Sequence, residues 1–257
     1  MSTFAHSWYL TLRLLRVRVR QPWYIAVTLV QPIIWLLLFG ALFRRVVELP
    51  GFGAASYLDF LTPGIVVMTA LFAAGWSGMG IIEDLNAGVM DRFLIAPARR
   101  GGLIVSRIAD MAVVLAVQSL IIVAIGLVLG AHYDGGLLGV VALVVAAVLL
   151  GAAFSSLSNA LALVVRKEES LIAMVQFVVL PATFLSSGLM AMGMMPSWMR
   201  GAARFNPVNW AVEAGREALA ASPDWGLVLG RGGLLLALAA VCGWLSTLAF
   251  RSYQRSA

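Results

Sequence analysis

The chain has 257 residues, of which 61% are apolar and only 12% are charged. A soluble domain of this size carries about twice that share of charge, so the composition excludes a globular enzyme built around one core. The mean hydropathy of +0.95 instead predicts an all-α polytopic membrane protein. The net charge of +6 does not indicate nucleic-acid binding, because the basic residues stand at the ends of apolar runs.

The first segment, residues 1–21, predicts an amphipathic helix. Its apolar residues recur every three or four positions, and its arginines fall on roughly the opposite face. Such a helix lies in the headgroup layer against membrane lipids. Two interpretations remain open: a basic anchor for the first span, or a lever that receives force from a cytoplasmic partner. The residues that define this interface helix are Trp8, Arg13, Arg16 and Arg20.

Six apolar runs are long enough to cross a bilayer. Their predicted ranges are 22–43, 62–82, 103–130, 137–165, 171–189 and 232–250. Of the 18 Lys and Arg residues, 12 fall on the side of the predicted membrane that holds both termini. Because cytoplasmic segments are enriched in Lys and Arg, both termini are predicted to lie in the cytoplasm.

The predicted spans contain few polar groups. Gln118 is expected to form a hydrogen bond with a neighbouring helix, the common use of an amide inside a membrane. Asp110 is expected to pair with Arg107 near the inner surface. The scarcity of carboxylates at depth argues against proton-coupled transport, which needs a titratable relay there. Cys242 is the only cysteine, so no disulfide within the chain is possible.

A compact charged segment, EDLNAGVMDRFLIAPARR at residues 83–100, separates the second and third runs. It predicts a short amphipathic helix with one apolar ridge and polar residues off that ridge. A helix this short does not fold alone, so it must dock on something. Two interpretations remain open: a solvated loop helix, or a docking element for a soluble partner. The candidate docking residues are Glu83, Asp84, Leu85, Asn86, Gly88, Val89, Asp91, Arg92, Phe93 and Pro97.

The segment 190–231 is predicted to lie on the external side. It begins apolar, yet Gly188, Gly193 and Pro196 interrupt any continuous helix. Two short segments that dip into the outer leaflet, buried against protein, fit this pattern. A charged helix follows, in which Glu213 and Arg216 are expected to pair on one face.

Three stretches together resemble the type-2 ABC exporter permeases (ABC-2), the family that includes the daunorubicin-resistance permeases. The first is the segment 83–100. The others are RVRVRQPWYIAVTLVQPIIWLLLFG near the N-terminus and FLSSGLMAMGMMPSWMRGAARFNPVNWAVEAGREAL at residues 184–219. Because they occur in the family's order, the resemblance covers nearly all of residues 1–257 and implies a single ABC-2 transmembrane domain.

The resemblance implies specific roles. The segment 83–100 would hold the coupling helix that fits a separate ATPase, and residues 1–21 would flank that ATPase. Two permeases, expected to be identical copies, would join two ATPases that carry MgATP, in a bacterial inner membrane. The segment 190–231 would be the external re-entrant hairpin, and spans two and five would line the substrate pathway. The candidate pathway residues are Phe72, Trp76, Gln176, Phe177 and Phe184.

The chain has no site of its own for hydrolysing ATP. A P-loop needs a lysine in the setting G-x-x-x-x-G-K-[ST], and the only lysine, Lys167, follows no glycine loop. We therefore predict a subunit that is not an enzyme and holds no cofactor. The expected cargo is a drug, a secondary metabolite or a lipid-like amphiphile, as in multidrug export and antibiotic resistance.

Three alternative functions stay open at this stage. Export of a lipid-linked polysaccharide would use the same architecture with a wide pathway of aromatic rings. A secondary transporter would need no ATPase and would show an inverted repeat. A membrane-embedded lipid enzyme would need a cluster of carboxylates or histidines at one depth, which the sequence does not show.

Overall fold

The computed structural model describes residues 22–48, 56–87 and 101–256. These residues form nine α-helices and no strand, so the predicted all-α class is confirmed for this part of the chain. Short 3-10 turns occur at Val46–Glu48, Trp76–Gly78 and Met192–Met194. The helices are α1 (Pro22–Leu42), α2 (Tyr57–Gly75), α3 (Met79–Asn86), α4 (Gly101–Val128), α5 (Gly136–Val165), α6 (Glu168–Phe184), α7 (Ser197–Phe205), α8 (Pro207–Ala218) and α9 (Trp225–Ser256).

Four helical segments in the described ranges are long and apolar enough to cross a membrane. They are α2 together with α3, most of α4, all of α5 and most of α9. The chain is therefore a multi-pass membrane protein. The described apolar part of α1 is the shorter Val27–Leu42, and α6 has 17 residues. The predicted count of six spans thus remains a prediction.

Several helix ends differ from the predicted ranges because of local capping. α2 begins at Tyr57, five residues before the predicted start, and the Ser56 side chain accepts a hydrogen bond from the backbone N–H of Leu58. α9 begins at Trp225 rather than at 232, because the Asp224 carboxylate accepts from two N–H groups of its first turn. Both are N-caps that satisfy donors a helix leaves without an internal partner.

α5 lies at the centre of the bundle and packs against α2, α4, α8 and α9. Small residues allow this close approach. A Cβ added at Gly151 of α5 would meet the Leu115 side chain of α4 at 2.0 Å. α1 lies to one side and packs against α2 and α4. A space bounded by α1, α2 and α4 therefore lies on the side of the bundle away from α5.

The segment after α6 has no continuous long helix until α9, as the sequence predicts. A tight turn follows α6 at 185–188, and the short helices α7 and α8 come next. α8 then contacts α2, α5 and α9. This arrangement places the polar face of α8 against the beginning of α2.

Candidate functional site

α2 and α3 are joined by a 3-10 turn that α5 holds in place. The Ser158 hydroxyl of α5 donates to the backbone oxygen of Gly75 and accepts from the backbone N–H of Gly78 at 3.1 Å. Ser77 donates to the backbone oxygen of Ser155 at 3.3 Å. A stretch of 3-10 helix inside a longer helix often marks a hinge. Here this candidate hinge is tied to the central helix at both of its ends.

α3 presents two polar side chains outward and holds two other side chains, one polar and one apolar, against the bundle. Glu83 and Asn86 are exposed. Leu85 is half-buried and packs against the apolar core. Asp84 forms an ion pair with Arg107 of α4. The predicted docking residues on α3 therefore divide into an outward pair and an anchoring pair.

The partner of Arg107 differs from the expectation that it would pair with Asp110. Its guanidinium contacts the Asp84 carboxylate and donates to the backbone oxygen of Gly80 at 3.3 Å. The reason is that α3 lies beside the start of α4 and brings its carboxylate to the arginine. The three-residue spacing of Arg107 and Asp110 along α4 gives no indication of this contact between two helices.

The remaining predicted coupling and interface residues lie outside the described residues. For the docking segment these are Gly88, Val89, Asp91, Arg92, Phe93 and Pro97. For the interface helix these are Trp8, Arg13, Arg16 and Arg20. Their roles stay predictions.

The candidate pathway residues fall in two separate places. Phe72 and Trp76 line a cavity of about 280 Å³ between α1, α2 and α4. Phe177 and Phe184 are 81% and 58% exposed on the surface of α6, and Gln176 is half-buried beside them. Within one chain the structure does not bring the two groups together around a common space.

Two asparagines of the NPVN motif hold the turn that follows α6. The Asn206 amide donates to the backbone oxygens of Ala182 and Leu185 at 2.7 and 2.9 Å, while its oxygen caps α8. The Asn209 side chain accepts from the backbone N–H of Ser187 at 2.9 Å. The two asparagines of the motif therefore join α8 to α6 and the turn after it through hydrogen bonds from side chain to backbone.

Arg216 of α8 connects the same turn to the start of α2. Its guanidinium donates to the backbone oxygens of Ser187 and Phe60 at 2.9 and 3.1 Å. Its Cζ lies 3.7 Å from the centre of the Phe60 ring, within the range of a cation–π contact. Burial lowers the pKa of Arg216 to about 9, against the opposing effect of the Glu213 charge. The side chain is still cationic at neutral pH.

Glu213 pairs with a different arginine from the one the sequence suggested. Its carboxylate lies 2.7 Å from the Arg231 guanidinium of α9 and accepts from Asn209 at 2.8 Å. Arg216, three residues further along α8, turns instead toward α2. The polar face of α8 therefore joins α2, the turn after α6, and α9 in one network, and structural pairing accounts for its charges.

Comparison with known proteins gives one family and several relatives. The family model described as "ABC-2 type transporter" matches residues 6–220. This chain belongs to the ABC-2 type transporter family. A daunorubicin resistance ABC transporter permease protein, DrrB1 of Streptomyces coeruleorubidus, is 31% identical over 205 residues, which is 77% of this chain and 70% of that protein.

Two further relatives of this ABC-2 permease come from different organisms. A putative transport permease, ycf38 of Porphyra purpurea, is 31% identical over 208 residues, covering 80% of this chain and 70% of that protein. A probable doxorubicin resistance ABC transporter permease protein, DrrC of Mycobacterium tuberculosis, is 25% identical over 187 residues, covering 73% of this chain and 66% of that protein. The resemblance drawn from the sequence motifs is confirmed at the level of the family.

Sequence reasoning about this ABC-2 permease missed the α1 wall of the cavity. Thr28, Gln31 and Trp35 all line it, and they stand at spacings of three and four residues in an apolar run. That spacing places them on one face of a helix. This row of polar and aromatic residues on one face of the first span is the feature of the sequence that indicates the cavity wall.

Proposed function

We propose that this chain is the transmembrane subunit of an ATP-driven exporter that moves a drug, secondary metabolite or similar amphiphile out across a bacterial inner membrane. ATP hydrolysis belongs to a separate ABC ATPase subunit that carries MgATP. Support comes from the family match over residues 6–220 and from two relatives named as daunorubicin and doxorubicin resistance ABC transporter permeases. The absence of a P-loop lysine setting in the sequence agrees with a separate ATPase.

The observation that best supports the proposal is the way in which α3 is attached to the helix bundle. Glu83 and Asn86 are exposed at the end of a helix that continues α2. The other side of α3 is attached to the bundle through the ion pair of Asp84 with Arg107. A displacement of the exposed pair by a partner would pass into α2 and α4, because packed elements move as units rather than deforming continuously.

The proposed assembly has two permeases and two ATPases, with both termini of each permease in the cytoplasm. A second, identical permease would contact the exposed aromatic face of α6. Phe177 and Phe184 form part of that face, and exposed large apolar side chains in one place often mark interaction surfaces. In this assembly the α6 aromatics of two copies would face a shared pathway.

The coupling role can be tested by co-purification with the ABC ATPase encoded beside this chain. The double variant Glu83→Arg/Asn86→Arg changes only exposed side chains of α3, so we expect the permease to fold and the recovered ATPase to fall at least about tenfold. The matched control is Glu169→Arg. Glu169 is also exposed, and it lies in α6, which contacts α3 at the same end of the bundle.

Two outcomes would contradict the coupling role. One is equal recovery of the ATPase by wild type and by the α3 double variant. The other is an equal loss with Glu169→Arg, which would indicate a general effect of charge at this end of the bundle. If wild type recovers no ATPase at all, the secondary-transporter alternative gains support instead.

A further inference from the structure

We propose that the cavity between α1, α2 and α4 is a binding site, within a single permease, for a planar aromatic amphiphile that carries an N–H or O–H donor. The cavity volume is about 280 Å³, close to the lower end of small-molecule pockets at roughly 300 Å³. The identification of this ligand with the exported cargo rests on the proposed function. The binding itself does not.

The walls of the cavity favour flat aromatic ligands. Three aromatic rings line it: Trp35 of α1, Phe72 of α2 and Trp76 of the 3-10 turn that follows α2. Aromatic rings pack face to face with an offset or edge to face, and such pairs stabilise beyond the area they bury. Between them lie apolar side chains such as Met111 and Val114. A flat, largely apolar ring system therefore has matching surface on more than one side.

Gln118 of α4 supplies an unused acceptor in the cavity wall. Its side chain is only 2% exposed, and its amide nitrogen donates to the Thr28 hydroxyl at 2.9 Å. Among the residues that the structure describes, none donates to its amide oxygen. A buried polar atom in that state is unfavourable, and a ligand donor would satisfy it.

The α1 wall of the cavity carries two polar side chains. Gln31 is exposed and Thr28 is half-buried, and both line the cavity one turn apart on the same face. A polar group of the occupant could therefore hydrogen-bond to these side chains while its ring system packs against the apolar walls.

One wall of the cavity is also part of the hinge described above. Trp76 is the first residue of the 3-10 turn between α2 and α3. Glu83 follows seven residues later, a rise of about 10 Å along a helix. An occupant that contacts Trp76 thus touches the segment to which α3 is joined.

The test uses full-length permease in lipid nanodiscs, without the ATPase, and 1-aminoanthracene as the probe. This molecule is fluorescent, has a planar system of three fused rings, carries one amine donor and is small enough for a cavity of about 280 Å³. Its Kd is measured by fluorescence anisotropy. We expect saturable binding to wild type and about three- to tenfold weaker binding by Gln118→Leu, which removes the acceptor while keeping the volume.

A second variant tests the cavity sterically. Ala73 lines the cavity on α2, and Ala73→Phe would fill it, so we expect binding to weaken at least about tenfold. The matched control is Val117→Phe, which adds bulk on α4 beside Gln118 but at a side chain that is 39% exposed and does not line the cavity. We expect this control to bind 1-aminoanthracene as wild type does.

Four outcomes would overturn the inference: no saturable binding by wild type, unchanged Kd in both Gln118→Leu and Ala73→Phe, an equal loss in Val117→Phe, or a co-purified lipid that Ala73→Phe expels and 1-aminoanthracene does not displace. Failure here is separable from failure of the proposed function. The co-purification of the ATPase depends on Glu83 and Asn86, and we expect Gln118→Leu to recover the ATPase at the wild-type level.

Discussion

Gly64→Ala is the substitution whose effect follows most directly from the packing of α2 against the turn after α6. A Cβ at Gly64 would lie 2.2 Å from the backbone oxygen of Gly188 and 2.8 Å from its carbonyl carbon. Carbon and oxygen atoms in contact are normally about 3.3 Å apart or more. The turn and α2 would therefore have to separate by about 1 Å.

The turn has little freedom to make that movement. The Ser187 backbone oxygen accepts from Arg216 at 2.9 Å, and the Ser187 N–H donates to Asn209 at the same distance. A 1 Å displacement would stretch either contact to nearly 4 Å, beyond hydrogen-bond range. Losing one bond to a charged donor costs about 1.5–3 kcal/mol, and residual overpacking adds about 1–3 kcal/mol. Alanine returns about 1 kcal/mol through its higher helix propensity, which leaves a net destabilisation of about 1.5–5 kcal/mol.

Thermal unfolding of the purified protein in detergent measures this effect, and we expect a clear fall in Tm for Gly64→Ala. The control is Gly201→Ala in α7, where an added Cβ meets nothing within 4 Å. There the helix propensity of alanine acts alone, and we expect stabilisation of about 0.5–1 kcal/mol. A Tm for Gly64→Ala equal to or above that of wild type would refute the reasoning, because it would show that the two backbones are not in contact.

Three further predictions concern polar contacts. Ser158→Ala should lower the free energy of unfolding by about 1–3 kcal/mol, because the backbone groups of Gly75 and Gly78 lose their hydrogen bonds. Thermal unfolding measures this loss, and an unchanged Tm would contradict the prediction. Asp84→Asn should change the free energy of unfolding by less than about 1 kcal/mol, because its ion pair with Arg107 is partly exposed. Co-purification of the ATPase should persist in this variant. Loss of the ATPase would instead place Asp84 in the docking surface. Arg216→Lys should destabilise by about 1–3 kcal/mol, because an ammonium does not reproduce the fork of the guanidinium, and a Tm equal to that of wild type would contradict this.

Helix identity in this chain is predictable from sequence, because long apolar runs are required by the bilayer and carry a strong signal. The first residue of each helix is predicted less accurately from the sequence. The beginning of α9 at Trp225 depends on Asp224, and the Ser-Pro-Asp-Trp sequence before it is a recognisable capping pattern. The first seven residues of α9 fall in the predicted external segment, because the uninterrupted apolar run begins only after Arg231.

The hinge and the polar contacts were not predictable in the same way. The break at Trp76–Gly78 depends on Ser158, which is about 80 positions further along the chain. The ion pair of Arg107 depends equally on the packing of α3 beside α4. Periodicity describes which face of a helix is buried, but it does not say which neighbour covers that face.

The lengths of α5 and α9 have a consequence for the membrane that surrounds them. At 1.5 Å per residue, helices of 30 and 32 residues are about 45 and 48 Å long, whereas the hydrocarbon layer is about 30 Å thick. A tilt of about 20° shortens their vertical reach by only a few ångströms. Both helices therefore extend beyond the hydrocarbon, and they remain packed against each other. A thinner or thicker bilayer would change the level at which lipid meets this pair while leaving its helix-to-helix contacts the same.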